Sequence, residues 1–166
     1  MRKMAVGISF FALSALATPA SADGFFELRL GAAVDGSGAS STVGAALGYD
    51  FDLGKDAFLG LEYVGTADTS FESDAGAVNL RLGTDVSETG RIYLTAGRVW
   101  QARSSMVIIP TSDFIIFGSS SSTVYDTIAG LGYQADISDS GYVSLQYQYG
   151  FEYNFGHATV GVGIRF

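Results

Sequence analysis

The stretch Thr159-Val160-Gly161-Val162-Gly163-Ile164-Arg165-Phe166 alternates a bulky apolar residue with a small or polar one at every step. A period of two marks a strand with two unlike faces. Val160, Val162, Ile164 and Phe166 share one face; Gly161, Gly163 and Arg165 share the other. In a soluble sheet the bulky face would be core, and the opposite face would be rich in Lys, Glu and Thr. Two glycines and one arginine do not make a wet face. They suit the cramped interior of a narrow closed barrel, where eight strands leave just enough room for side chains. The bulky face then points outward.

The same alternation recurs in seven earlier segments: 25–34, 42–51, 57–64, 75–85, 91–101, 123–135 and 141–151. With 157–166 that makes eight. Their apolar faces carry Phe26, Leu28 and Leu30, then Val43, Leu47 and Tyr49, Leu59 and Leu61, Val78, Leu80 and Leu82, Ile92 and Leu94, Leu131 and Tyr133, and Val143 and Leu145. Gly31, Gly44, Gly48, Gly60, Gly83, Gly97, Gly130, Gly132 and Gly150 fall on the opposite face. Outward apolar rows around a tight lumen are the arrangement a bilayer demands. In hydrocarbon every backbone polar group must be paired, so strands span only as a closed cylinder. Segments of about 9–11 residues are long enough to cross when tilted. The reading is therefore all-β: an eight-stranded antiparallel up-and-down transmembrane β-barrel.

The connections fit that wiring. The turns 52–56, 86–89 and 137–140 are short and carry Asp, Ser and Gly, the residues of tight turns. Those at 35–41, 65–74 and 102–122 are longer, and 152–156 is short. Aromatics gather toward the segment ends. Phe26, Tyr49, Phe51, Tyr133 and Phe166 lie near the short turns, and Tyr63, Trp100, Tyr149 and Phe151 near the longer loops. These are expected interface girdles. Leu47-Gly48-Tyr49, Leu82-Gly83-Thr84, Leu131-Gly132-Tyr133 and Val162-Gly163-Ile164 form a weak repeat in every second segment, a repeated hairpin. Arg98 falls on the lipid parity, which implies either an interface position or a bulge that shifts the register.

Composition supports export. Arg2 and Lys3 precede an uncharged apolar run, Ala5 to Ala17; Pro19 breaks it, and Ala20-Ser21-Ala22 is an A-x-A cleavage site. This reads as a secretory signal peptide over 1–22, too short to anchor as a helix, followed by a barrel domain over 23–166. Of the 166 residues 48% are hydrophobic and only 16% charged, against roughly 25% in an ordinary soluble domain. There are 22 glycines and no cysteine, which excludes disulfides and cysteine-ligated zinc. Seventeen acidic against nine basic side chains argue against nucleic acid.

Parity turns Glu27, Arg29, Glu62, Asn79, Arg81, Arg91, Gln146, Gln148 and Arg165 into the lumen. Buried charges must be paired, so Glu27 and Glu62 are expected to pair with Arg29, Arg81 or Arg165 as a plug. A small pore lined by these groups is the competing reading. His157 is the only histidine and is expected at a turn or interface. No His/Asp/Glu cluster has metal spacing, and no Gly-rich stretch has a phosphate-cradle context. The most unusual loop holds Val107, Ile108 and Ile109, then Phe114, Ile115, Ile116 and Phe117. It is either an apolar interaction patch or an extension of strands five and six as a hairpin with its tip at 110–113. Such a hairpin has an open edge able to bind a partner by strand addition. Asp68, Glu72 and Asp74 make an acidic loop.

With its signal peptide, eight alternating strands and closing segment, the chain resembles the small bacterial outer-membrane barrels: the OmpA transmembrane domain, OmpX and the opacity-type surface antigens. The resemblance covers 23–166 as pattern, and the peptidoglycan-binding domain of OmpA is absent from it. It implies an outer-membrane location and contact with outer-membrane lipid and lipopolysaccharide. It also implies recognition of Val160, Val162, Ile164 and Phe166 by the barrel-assembly machinery. The function it implies is structural or surface-interacting, serving envelope integrity, adhesion or resistance through loops that meet an extracellular protein or host surface. A small diffusion channel is the alternative, and a lipid A-modifying enzyme a weaker one. The deacylase family's His-x-Ser would need a serine where Thr159 stands. The expectation is a monomer, no enzyme, and no cofactor or metal.

Overall fold

The computed structural model describes residues 22–36, 38–54, 56–69, 74–110 and 115–166, and side chains for these except Ala22 and 103–121. Eight strands follow in chain order: β1 (Ala22–Asp35), β2 (Gly38–Gly54), β3 (Ala57–Asp68), β4 (Asp74–Ser87), β5 (Gly90–Pro110), β6 (Ile115–Asp136), β7 (Gly141–Gly150) and β8 (Phe155–Arg165). Each pairs antiparallel with its sequence neighbour, and β1 pairs with β8 from Phe25↔Arg165 to Val34↔Gly156, which closes the barrel. Gly24 and Phe166 exchange both backbone hydrogen bonds at the seam, at 3.0 and 2.9 Å.

The polarity of the wall is inverted, as the alternation requires. In β4, Leu80 is 58% exposed while Asn79 and Arg81 on either side are 0% exposed. Leu28, Leu61, Leu94, Leu131, Leu145 and Val162 likewise face outward. Phe51, Tyr133 and Phe166 are exposed near the short-turn end, and Tyr63, Tyr149 and Phe151 near the other; Phe26, Tyr49 and Trp100 are half-buried.

Inside, the repeated glycines have a steric reason. Phe25 pairs directly with Gly48, Phe58 with Gly83, Tyr93 with Gly132 and Tyr142 with Gly163. Each ring lies over the glycine opposite. A Cβ on Gly48 would sit 2.6 Å from Phe25 Cζ, one on Gly83 2.5 Å from Phe58 Cζ, and those on Gly132 and Gly163 would overlap the tyrosine rings. The repeat marks where the lumen takes an aromatic side chain, and the four pairs form one layer toward the short turns.

Several boundaries differ from those expected. The stretch 35–41 is almost wholly strand: β1 runs to Asp35 and β2 starts at Gly38 with a φ of 147°. Serine and glycine are poor strand formers, but here the ladder continues in register through Ala33↔Ser40 and Val34↔Ala39. Phe151 belongs to the β7–β8 turn, where Asn154 has a φ of 51° and Tyr149 donates to its side chain at 2.8 Å. The region 102–122 follows the hairpin alternative: β5 and β6 stay paired as far as Pro110↔Ile115. Register shifts occur at Asp52/Gly54 and Asp85/Ser87, beside tight turns, and none at Arg98. Arg98 is exposed, with its guanidinium 5.7 Å from the Tyr125 ring. Residues 1–21 of the expected signal peptide (1–22) and Phe114 lie outside the described residues.

Candidate functional site

The lumen divides into three levels. In the middle, Arg29 of β1 projects between two carboxylates. Its Nε donates to Glu27 Oε1 at 2.6 Å and its Nη2 to Glu62 Oε2 at 2.6 Å. Asn79 Nδ2 donates to Glu62 Oε1 at 3.0 Å, and Ser144 Oγ to Glu27 Oε1 at 2.7 Å. All five residues are buried. Four strands (β1, β3, β4 and β7) are thereby tied across the lumen. Breaking a buried pair by removing one partner costs about 3–5 kcal/mol, because a charge is left alone.

Toward the short turns, Arg81 lies in the aromatic layer. Its guanidinium carbon is 4.5 Å from the Phe25 ring centroid and 4.2 Å from that of Tyr93, both within cation–π range. Asp50 faces Arg81 at 3.4 Å and Arg91 at 3.6 Å; Arg91 also meets Asp85 at 3.3 Å. Arg165 pairs with Asp136 at 2.6 Å and covers the Tyr142 ring at 4.8 Å.

The structure therefore places Glu27, Arg29, Glu62, Asn79, Arg81, Gln146 and Gln148 in the interior, and Arg91 and Arg165 at its short-turn mouth. Of the three arginines expected to pair with the lumen glutamates, the structure selects Arg29. Among the described residues, Glu27 and Glu62 make their ion pairs with Arg29, while Arg81 and Arg165 turn to Asp50 and Asp136. Pairing follows strand register and barrel stagger, so it cannot be read from parity. Asp50, Thr95, Asp126, Gln134 and Ser144 are buried lumen residues that the sequence reading passed over. Asp50 sits between the outward Tyr49 and Phe51, so alternation alone marks it. His157 is corrected: it lies in β8, paired with Gln148 and Ala33, with Nε2 2.9 Å from Thr42 Oγ1.

Above the plug, toward the longer loops, the lumen opens into a cavity of about 280 Å³. Val64, Ala77, Ile128 and Phe155 form its apolar floor, with Gln148, His157 and Thr42 on the wall. Asp35, Asp68 and Asp74 line it where β1, β3 and β4 end or begin. Asp126 accepts from the backbone of Glu152 and Tyr153 at 2.8 and 3.2 Å and so holds the β7–β8 turn.

Beyond this mouth the wall becomes uneven. β4 pairs with β5 only as far as Asp74↔Ala102, and β7 with β6 only as far as Ile128↔Gly150. β5 and β6 continue together to Pro110↔Ile115. Eight residues past Ala102 carry this ribbon roughly 25 Å further. Among the described residues, no strand pairs with the outer edge of β5 beyond Ala102 or of β6 before Ile128. Of the expected interaction residues, Val107, Ile108, Ile109, Ile115, Ile116 and Phe117 lie in this ribbon.

No protein-family model matches the chain, and no curated relative matches it in sequence. Solved structures do. Ail, the attachment invasion locus protein of Yersinia pestis, was solved with the heparin analogue sucrose octasulfate. It superposes with a TM-score of 0.61 at 14% identity, covering 87% of this chain and 97% of that one. Neisserial surface protein A gives 0.56 at 12% identity, covering 87% and 95%. The N-terminal β-barrel domain of Pseudomonas aeruginosa OprF gives 0.54 at 19% identity, covering 87% and 97%. The chain thus has the fold of the small eight-stranded outer-membrane barrels.

Proposed function

We propose that this chain is a bacterial outer-membrane barrel with a surface-interaction role, exported by a signal peptide cleaved after Ala22 and acting through its β5–β6 ribbon. The observation that carries the reading is the ribbon with its two unpaired outer edges, set on a wall that is apolar outside and polar inside. Such an edge offers a row of backbone donors and acceptors to an extended segment of another protein. The filled lumen supports an anchoring barrel over a diffusion channel: the Glu27–Arg29–Glu62 bridge and the aromatic layer occupy the bore. Ail, of similar fold, is an attachment invasion locus protein. Its sulfated ligand is a poor guide here, since 17 acidic against 9 basic side chains disfavour a polyanion. A backbone-recognising protein contact suits this chain better.

The test displays the intact chain, and one with residues 104–121 replaced by a short Gly/Ser turn, on a Gram-negative strain that does not adhere to epithelial cells. Both proteins should appear in outer membranes as bands whose gel mobility shifts on boiling. Only the intact chain should confer adhesion. Equal adhesion by both, or recovery of the chain from the periplasm without detergent, would overturn the reading.

A further inference from the structure

Arg98 stands apart from the other arginines whose side chains are described. Arg29, Arg81, Arg91 and Arg165 each face a carboxylate in the lumen or at its mouth, whereas Arg98 forms no ion pair among the described residues. On the outward rows of the strands, from the short turns up to the level of Trp100 and Tyr125, it is also the one charged side chain among the described residues. A charge on the outer wall of a barrel costs more the deeper it lies. Within the chain only the Tyr125 ring, 5.7 Å away, is placed to offset this one. We infer that Arg98 and its surroundings form a docking site for an anionic lipid of the leaflet on the longer-loop side, one whose headgroup presents a phosphate monoester.

The surroundings fit both halves of such a lipid. A guanidinium fork matches two phosphate oxygens at once, and a monoester leaves its oxygens open where a diester bridges two groups. Thr127, the ladder partner of Arg98, is exposed beside it, and its hydroxyl is a second donor. The indole of Trp100 leans the other way. It lies over Gly76 of β4, where a Cβ would be 2.5 Å from Cε2, and meets the Tyr63 ring at 6.0 Å. The guanidinium is thus left open on the β5–β6 side. One row nearer the bilayer centre, Ala96 and Ala129 are paired on the outward face, between Leu80 and Tyr149. Two methyl groups flanked by large side chains leave a shallow recess, and an acyl chain hanging from a headgroup on Arg98 would enter it. A rim cation alone, or a recess alone, would select nothing. One row apart, they match the head and the tail of a single molecule. The site uses the lipid-facing wall and is independent of what the ribbon binds.

Trp100 is the only tryptophan of the chain and lies two residues from Arg98, so its fluorescence reports on the lipid held there. The full folded chain is placed in phosphatidylcholine vesicles in which a fixed fraction of the lipid carries chains brominated close to the headgroup, a contact quencher of indole. The brominated lipid is either phosphatidic acid or phosphatidylcholine. Phosphatidic acid should quench as though enriched about fivefold, the effect of one basic side chain at a membrane surface. Arg98→Gln should bring the two lipids level. The Ala96→Leu/Ala129→Leu variant, which fills the recess and stays apolar, should weaken the preference with Arg98 in place. All variants are first checked for the gel shift on boiling. Equal quenching of the intact chain by both lipids would overturn the inference, as would a preference that survives in Arg98→Gln or is undiminished in the double leucine variant. Equal enrichment of a brominated fatty acid would overturn it by showing that charge alone is recognised. Loss of the preference in millimolar inorganic phosphate would overturn it by showing a site for the free ion. No quenching by either lipid would overturn the lipid-facing wall, and the inference with it.

Discussion

Gly132 is a position where a single atom decides the packing. A Cβ there would overlap the ring of Tyr93, its direct partner across the β5–β6 pair. The ring fills space the glycine leaves, and neither is replaceable alone. Gly132→Val should cost about 1–3 kcal/mol, the usual penalty of overpacking. It would be seen as a lower urea midpoint for unfolding from lipid vesicles, and a second change, Tyr93→Ala, should recover part of the loss. An unchanged midpoint for the single variant would mean that the ring does not lock the pair. At this scale, alternation alone turned Glu62 and Arg81 inward. It equally marks Asp50, which lies between the apolar positions Tyr49 and Phe51. The partners were legible only to within three arginines. Arg29 finds Glu27 two residues away on its own strand and Glu62 across the lumen, and the second depends on stagger that no local pattern records.

Each strand has one face for hydrocarbon and one for the lumen, and β4 shows the division most cleanly. Leu80 lies outward between inward Asn79 and Arg81. Leu80→Arg should cost about 2–4 kcal/mol if the side chain sits near the bilayer midplane, whereas Glu88→Arg in the β4–β5 turn should be nearly silent. The same vesicle unfolding measures both, and equal midpoints would contradict the lipid-facing assignment. Element number and facing were legible because the period of two is strict. Strand ends were not. For β5 and β6 the pattern left loop and extended hairpin open; the hairpin forms through the serine-rich stretch because a paired ribbon needs only a partner in register and not favourable propensity. Arg98 belongs to this scale as well. It pairs with Thr127, one step beyond the last residue of β6 held by β7, and this position at the rim lets a guanidinium face outward beside Tyr125.

The whole molecule is a short cylinder filled by ion pairs and rings below, open above, with one ribbon rising from the rim. A bore occupied in this way should carry no steady current. Planar bilayers containing the intact chain are expected to show no regular single-channel steps, and reproducible steps would favour the channel alternative. The closed form was foreseeable from eight alternating segments, but the open upper cavity was not. It arises where the inward residues become small, at Ala33, Thr66 and Ala75, and smallness alone does not distinguish a void from a filled space. The four ring-over-glycine pairs carry a last consequence. Each joins the two arms of one hairpin, β1 with β2, β3 with β4, β5 with β6 and β7 with β8. None stitches one hairpin to the next, so circumference is left free by these locks. A tandem duplication of the β3–β4 unit would bring its own lock with it. The staves of this small cask could thus be multiplied without rewriting any of them, and a wider relative, hollow at its axis, lies one copying event away.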